Sequence, residues 1–212
     1  MPIITALTIS TRKNDYVNIF VDGDFYVQVH IDIVTKYGLK KGGEISTELA
    51  AKLHDDKRTV YVKQTALRFV CYKPRTEQQV RTKLRDKEFT PDEITLAIEF
   101  LYEFDYLNDD DYCRMFINDY LLRKKTSSKK LYLELKKRGI HDERITKALD
   151  LYYPKDDTYQ MAIAAANKKW RTVQFKPIEK QRKSVSDYLQ RQGFDWNTVK
   201  QVLNELFQSD KH

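Results

Sequence analysis

Three stretches of the chain share one spacing of apolar positions. Residues 80–101 read VRTKLRDKEFTPDEITLAIEFL, residues 131–152 read LYLELKKRGIHDERITKALDLY, and residues 185–206 read VSDYLQRQGFDWNTVKQVLNEL. Aligned without a gap, they match Val80/Leu131/Val185, Leu84/Leu135/Leu189, Phe89/Ile140/Phe194, Ile94/Ile145/Val199 and Ile98/Leu149/Leu203. Their starts lie 51 and 54 residues apart. The second half of each places apolar residues at i, i+3, i+4, i+7 and i+8, which is the stripe of a buried helix face. These are Ile94, Ala97, Ile98, Leu101, Tyr102; Ile145, Ala148, Leu149, Tyr152, Tyr153; and Val199, Val202, Leu203, Leu206, Phe207. A repeat of this size is one supersecondary unit that stacks on its neighbours to bury its apolar face. The period leaves room for a third, leading helix. Val62, Ala66, Phe69 and Val70 match Cys113, Ile117, Tyr120 and Leu121 at the same offset of 51, and residues 159–170 supply the third copy.

Polar punctuation fits these helices. Thr90-Pro91-Asp92-Glu93 is a capping box with proline at the first helical position. Thr76-Glu77-Gln78-Gln79 repeats the box, and Asp195 stands at the corresponding cap in the last repeat. Gly139 and Gly193 end their middle helices, where a left-handed residue suits the exit. Glu88 takes the place of glycine in the first repeat, so a different turn is expected there.

The first third of the chain has another period. Residues 5–10 alternate, residues 16–21 are rich in β-formers, Asp22-Gly23 follows, and residues 25–29 alternate again. Asp-Gly between two such runs signals a hairpin. Residues 12–15 read as the preceding turn, Gly38, Gly42 and Gly43 as a loop, and an amphipathic helix follows Ser46. The sequence therefore predicts a mainly α chain. Tandem three-helix repeats would form an elongated curved array, of right- or left-handed sense, after a small N-terminal β-hairpin or three-stranded region. The boundaries are 1–58, with a short helix, then 59–107, 108–154 and 155–209.

Composition adds two points. Charged residues make up 33% of the chain, which suits an elongated array with much surface per residue. A net charge of +7 favours a polyanionic partner. Cys71 and Cys113, both at apolar helical positions, read as packed free thiols of a reducing compartment. The start carries no basic segment ahead of an apolar run, and no apolar stretch approaches the length of a membrane span, so a cytoplasmic protein is expected.

No catalytic constellation stands out, and the expectation is a non-enzyme without cofactor or metal. With six glycines, no phosphate-cradling loop is recognisable, and His30, His54, His141 and His212 lack ligand spacing. Asp109-Asp110-Asp111 reads as the cap of a following helix, with divalent-metal binding the minor alternative. Basic clusters are the main candidate chemistry. Arg123, Lys124 and Lys125 end one helix, Lys129 and Lys130 open the next, and Lys136, Lys137 and Arg138 close it. A second cluster holds Lys168, Lys169, Arg171, Lys176, Lys180, Arg182 and Lys183, with Trp170 and Phe175 inside it. Cations at helix C-termini complement the dipole, but Lys129 and Lys130 at a helix start do not, so an external acidic partner is expected to use them. The aromatics could stack on bases, although Trp170 lies on the apolar side of its helix.

These motifs resemble the RecX family, bacterial regulators of the RecA recombinase. The resemblance rests on Ala66-Leu67-Arg68-Phe69 through Tyr72-Lys73-Pro74-Arg75-Thr76-Glu77, and on Phe104-Asp105-Tyr106-Leu107-Asn108-Asp109 with Asp111-Tyr112. It also rests on Lys129-Lys130-Leu131 through Leu135-Lys136-Lys137-Arg138-Gly139-Ile140, and on Gly193-Phe194 with Val199. Thr76 stands for the family's common serine, Ser127-Ser128 for a Gly-Pro or similar pair, and Lys73 for a frequent arginine, which removes a guanidinium fork. The resemblance implies a monomer that inhibits RecA. It would bind in the groove of the RecA filament on single-stranded DNA and suppress ATP hydrolysis, strand exchange and filament growth. Several weak linked contacts would act together. Contact with double-stranded DNA, and whether the basic face meets RecA, DNA or both, stay open. The residues expected to make the contact are Arg123, Lys124, Lys129, Lys130, Lys136, Lys137, Arg138, Lys169, Arg171, Lys180, Arg182 and Lys183. The alternatives are a basic DNA-binding protein that acts without RecA and a helical-repeat module that docks proteins.

Overall fold

A computed structural model describes residues 2–11 and 13–208. Three strands open the chain: β1 (Ile4–Ser10), β2 (Lys13–Val21) and β3 (Asp24–His30). They form one antiparallel sheet in that order, with Leu7 opposite Ile19 and Val17 opposite Val29. The β2–β3 turn has positive φ at both central residues, 51° at Asp22 and 97° at Gly23. That is the mirror-image geometry that matches the twist of the flanking strands. Lys13, Asn14 and Asp15, expected as turn, already belong to β2. Arg12 of that expected turn, His212 and residue 209 of the third repeat lie outside the described residues.

Two helices complete this layer. The six-residue α1 (Ile31–Lys36) occupies part of the expected loop, and α2 runs without a break from Thr47 to Tyr72. The short helix expected after Ser46 and the leading helix of the first repeat are therefore one element. Ser46 caps it by accepting from the Leu49 amide at 3.1 Å. Ile4, Ile19, Val21, Val29, Ile33, Leu39, Ile45 and Leu53 form the core beneath the sheet. After α2 come α3 (Glu77–Arg85) and α4 (Pro91–Glu103). The reciprocal capping box at Thr90 and Glu93 is present.

The chain divides into two compact units. One holds the described residues up to Lys73 together with Val80–Tyr106, and the other holds Pro74–Gln79 and the described residues from Leu107. The second unit contains α5 (Asp109–Arg123), α6 (Ser128–Lys136), α7 (Asp142–Tyr152), a 3-10 turn at Lys155–Asp157, α8 (Thr158–Arg171), α9 (Ile178–Arg191) and α10 (Trp196–Gln208). Its core runs from Cys113 and Ile117 through Leu131, Leu135 and Ile145 to Leu189, Val199 and Phe207. All fifteen aligned apolar positions are buried, none more than 8% exposed. Tyr102 and Tyr152, at the ends of their stripes, are partly exposed.

The middle helices of the three repeats end in the same way. Phe89, Ile140 and Phe194 donate their amides to Leu84, Leu135 and Leu189, and the residue before each donates to Arg85, Lys136 or Gln190. This double bond pattern closes a helix through one left-handed residue, with an apolar contact between the bonded pair. The left-handed residue is Gly139 (φ 81°), Gly193 (φ 85°) or Glu88 (φ 61°), so the turn at Glu88 does not differ in backbone from the other two.

Within the second unit the two glycine turns sit on the N-terminus of the preceding middle helix. The Thr76 hydroxyl donates to the Arg138 carbonyl at 2.7 Å, and a Cβ on Gly139 would run into Gln78. The Thr126 hydroxyl at 3.0 Å, the Ser127 hydroxyl at 3.1 Å and the Ser127 amide at 3.1 Å all donate to the Gln192 carbonyl. A Cβ on Gly193 would meet Ser127 and, at 3.0 Å, the Lys130 amide nitrogen. Thr76 and Ser127 do two jobs, since each also accepts from an amide of its own helix, Gln79 at 3.2 Å and Lys130 at 3.3 Å. The carbonyl end of one middle helix therefore faces the amide end of the preceding one, an arrangement that the helix dipoles favour. Tyr153 braces the second joint by donating to the Thr126 carbonyl at 3.1 Å.

Candidate functional site

The first basic cluster follows from these elements. Arg123 is the last residue of α5 and Lys124 its C-cap, where positive charge meets free carbonyls. Arg123 pairs with Asp119 at 2.7 Å, and the Lys124 ammonium lies 5.9 Å from the Tyr120 ring centroid. Lys129 and Lys130 stand in the first turn of α6 because Ser127 caps it. Lys130, Lys137 and Arg138 converge on Glu134, at 3.4, 3.7 and 3.1 Å. Burial opposes ionisation of Glu134, but the hydrogen bonds from Arg138 and Lys130 and the charge of Lys137 prevail and hold its carboxyl below the usual range. Arg138 is engaged further inside the fold: its guanidinium lies 4.4 Å from the Phe116 ring centroid. Lys136 pairs with Asp142. Lys129 has no ion-pair partner among the described residues.

In the second cluster Lys168, Lys169 and Arg171 occupy the last turn of α8, and Lys180, Arg182 and Lys183 the first half of α9. Arg182 donates to the Asn204 side chain at 2.9 Å. Lys169, Arg171, Lys180 and Lys183 have no ion-pair partner among the described residues. Of the twelve expected contact residues, then, seven have no ion pair among the described residues, Lys124 and Arg182 included, three share one carboxylate, and Arg123 and Lys136 each hold one of their own. A third basic run escapes a reading that looks for charge between helices. Residues 57–87 hold ten Lys and Arg against two acids, spread along the second half of α2 and through α3. Part of it is occupied, with Arg58 paired to Glu93 and Lys63 placed over the Phe100 ring at 5.2 Å.

Other expected groups serve the fold. The cap of α5 is Asn108, which accepts from the Asp110 and Asp111 amides at 3.1 and 3.0 Å. Asp109 is buried and caps a different helix by accepting from the Glu77 amide at 2.9 Å, at the start of α3. Asp110 pairs with Arg144 at 3.1 Å and Asp111 with Arg114 at 2.6 Å. His30 caps α1. Cys113 is buried, and burial pushes its thiol up to about 11, so it is protonated at neutral pH. Cys71 is exposed rather than packed. Among the described residues no helix is long and apolar enough to cross a membrane.

Four family models match the chain in order. They are described as the RecX N-terminal domain (residues 2–46) and the first, second and third RecX three-helix domains (63–101, 108–149 and 155–203). Regulatory protein RecX of Clostridium beijerinckii is 30% identical over 98% of this chain and 97% of its own length. That of Bacillus velezensis is 30% identical over 97% of this chain and 78% of its own. That of Clostridium acetobutylicum is 29% identical over 96% of both chains. A crystal structure of a regulatory protein RecX has the same fold, with a TM-score of 0.77 at 18% identity over 95% of this chain and 98% of that one. With its N-terminal sheet and three three-helix repeats each matched in sequence order, the chain belongs to the RecX family of regulatory proteins.

Proposed function

We propose that this protein regulates a RecA recombinase by lying in the groove of the RecA filament on single-stranded DNA. There it obstructs ATP hydrolysis, strand exchange and filament growth. The observation that carries this reading is the ordered match of the four RecX family models along the whole chain. Repeats joined in series suit a groove made of successive protomers, because linked weak contacts raise the effective concentration of each next one. The cations of the two clusters make the contact, from Arg123 to Arg138 and from Lys169 to Lys183.

The test is ATP hydrolysis by the cognate RecA on single-stranded DNA, titrated with this protein at two salt concentrations. Inhibition is expected at protein well below RecA. Reversing the charge of Lys129, Lys130, Lys136 and Lys137 together should abolish it while leaving helicity unchanged. A second reading, direct DNA binding without RecA, is favoured by the seven cations that have no ion pair among the described residues. It requires inhibition only at amounts that saturate the DNA, with a salt slope of about −0.7 per phosphate contacted.

A further inference from the structure

The loop between α8 and α9 differs from its counterparts. Four residues join α2 to α3 and α5 to α6, but six, Thr172 to Pro177, join α8 to α9. At the position of Thr76 and Ser127, where the first two repeats receive a neighbour, the third repeat has Gln181, one turn inside α9. Gln181 is turned onto its own loop. Its side-chain amide donates to the Gln174 carbonyl at 3.0 Å and to the Lys176 carbonyl at 2.7 Å, and its oxygen accepts from the Trp170 indole at 2.8 Å. These bonds fix the backbone on both sides of Phe175. The loop is held further by Val173 donating to Trp170 at 2.8 Å and Lys176 donating to Val173 at 3.0 Å.

A loop fastened this firmly normally turns its apolar residue inward. Phe175 is instead 82% exposed, one of the most exposed large apolar side chains among the described residues. The charge around it is one-sided. Lys168, Lys169, Arg171, Lys176, Lys180 and Lys183 lie within eight residues of it, against Glu179 as the only acid between 168 and 183. The Lys176 ammonium lies 5.7 Å from its ring centroid.

We propose that Phe175 is a stacking prong for the bases of single-stranded nucleic acid, held out by the Gln181 clamp while the surrounding lysines take the phosphates. A flat π face suits any unpaired base, and cations beside it suit the backbone. Fixing the backbone that carries the ring before binding lowers the entropy cost of ordering it afterwards. The proposal rests on the reading above only in taking nucleic acid as the partner, and it needs no RecA. A lipid surface is the other class of partner such a tip could meet, but Phe175 and Ile178 are the only large apolar groups exposed on this loop and the first turn of α9, too little for an anchoring face.

The test is fluorescence anisotropy of the full chain with a labelled oligothymidylate, beside an abasic strand of equal length, without RecA. Phe175→Ala should weaken binding to oligothymidylate about tenfold with an unchanged salt slope. Phe175→Tyr should bind like the parent, and Phe175→Leu, apolar but without a π face, like Phe175→Ala. The abasic strand should bind parent and Phe175→Ala alike. Equal affinity of Phe175→Ala and parent for oligothymidylate would overturn the proposal, as would an equal loss on the abasic strand. A loss seen only on phosphatidylserine vesicles would also overturn it, in favour of a membrane. Because RecA is absent, failure here leaves the ATPase test standing, and failure there leaves this result standing.

Discussion

The turn at Glu88 and the turns at Gly139 and Gly193 have one backbone and different residues. All three are left-handed, carry the same pair of hydrogen bonds and bury the same apolar contact. What separates them is cover. The glycine turns press on the N-terminus of the preceding middle helix, so closely that one added carbon would collide. The first repeat has no repeat before it, and there a glutamate takes the left-handed position. Glycine in this family of turns thus reports repeat stacking more than helix ending. A left-handed residue alone does not demand glycine, whereas a left-handed residue with a neighbour against its Cα does.

The comparison can be broken at its shared part first. Leu84→Ala and Leu135→Ala remove the buried partner of the turn in a free and in a stacked repeat. Each should cost about 2–5 kcal/mol in chemical denaturation, because both side chains are fully buried. Costs that differ severalfold would show that the turns are not equivalent. The second test is of their difference. Gly139→Ala and Gly193→Ala should each cost about 2 kcal/mol or more, combining left-handed strain with the collision, while Glu88→Ala should change little. A smaller effect comes from the receiving side of the first joint. Asp109→Ala leaves the Glu77 amide without its acceptor and should cost about 1–2 kcal/mol. Asp109→Asn keeps an acceptor and should be close to neutral. Burial raises the pKa of Asp109, so its ionised form opposes folding; that penalty fades as pH falls through the raised value, and Asp109→Asn should remove this part of the pH dependence. The smallest change is a gain: Glu88→Gly should add about 0.5–1 kcal/mol by relieving left-handed strain, since the Arg58 guanidinium bonds the Glu88 carbonyl and not its side chain. Thermal melts of the full chain resolve all of these.

The helical part of the fold is legible because helix period and caps are local signals. The fifteen aligned positions and the caps at Thr76 and Thr90 follow from spacing alone. The short α1 is not legible, since six residues make too few turns to show a period, and Gly38 with Gly42 and Gly43 masks it. Nor is the continuity of α2, because the polar run at Asp55, Asp56, Lys57 and Arg58 resembles a boundary yet contains no helix breaker. The basic clusters are legible as charge, but the partners of their side chains are not. Lys136 finds Asp142 across a turn, Arg182 finds Asn204 on another helix, and Arg138 folds back over Phe116. The second task of Thr76 has no local signature either, because its acceptor lies 62 residues away.

The joint between repeats has two complementary halves, a hydroxyl-bearing helix start and a bare glycine turn. Each outer repeat carries only one of them. At one extremity Glu88 stands where the glycine would dock, and at the other α9 opens on Pro177, which offers no side-chain cap and no amide proton. The half-joints left at the two outer repeats therefore do not match the pair that meets inside the chain. The connector that builds the molecule is spelled in full only where it is used, and Glu88 and Pro177 are the two residues that leave it unspelled elsewhere.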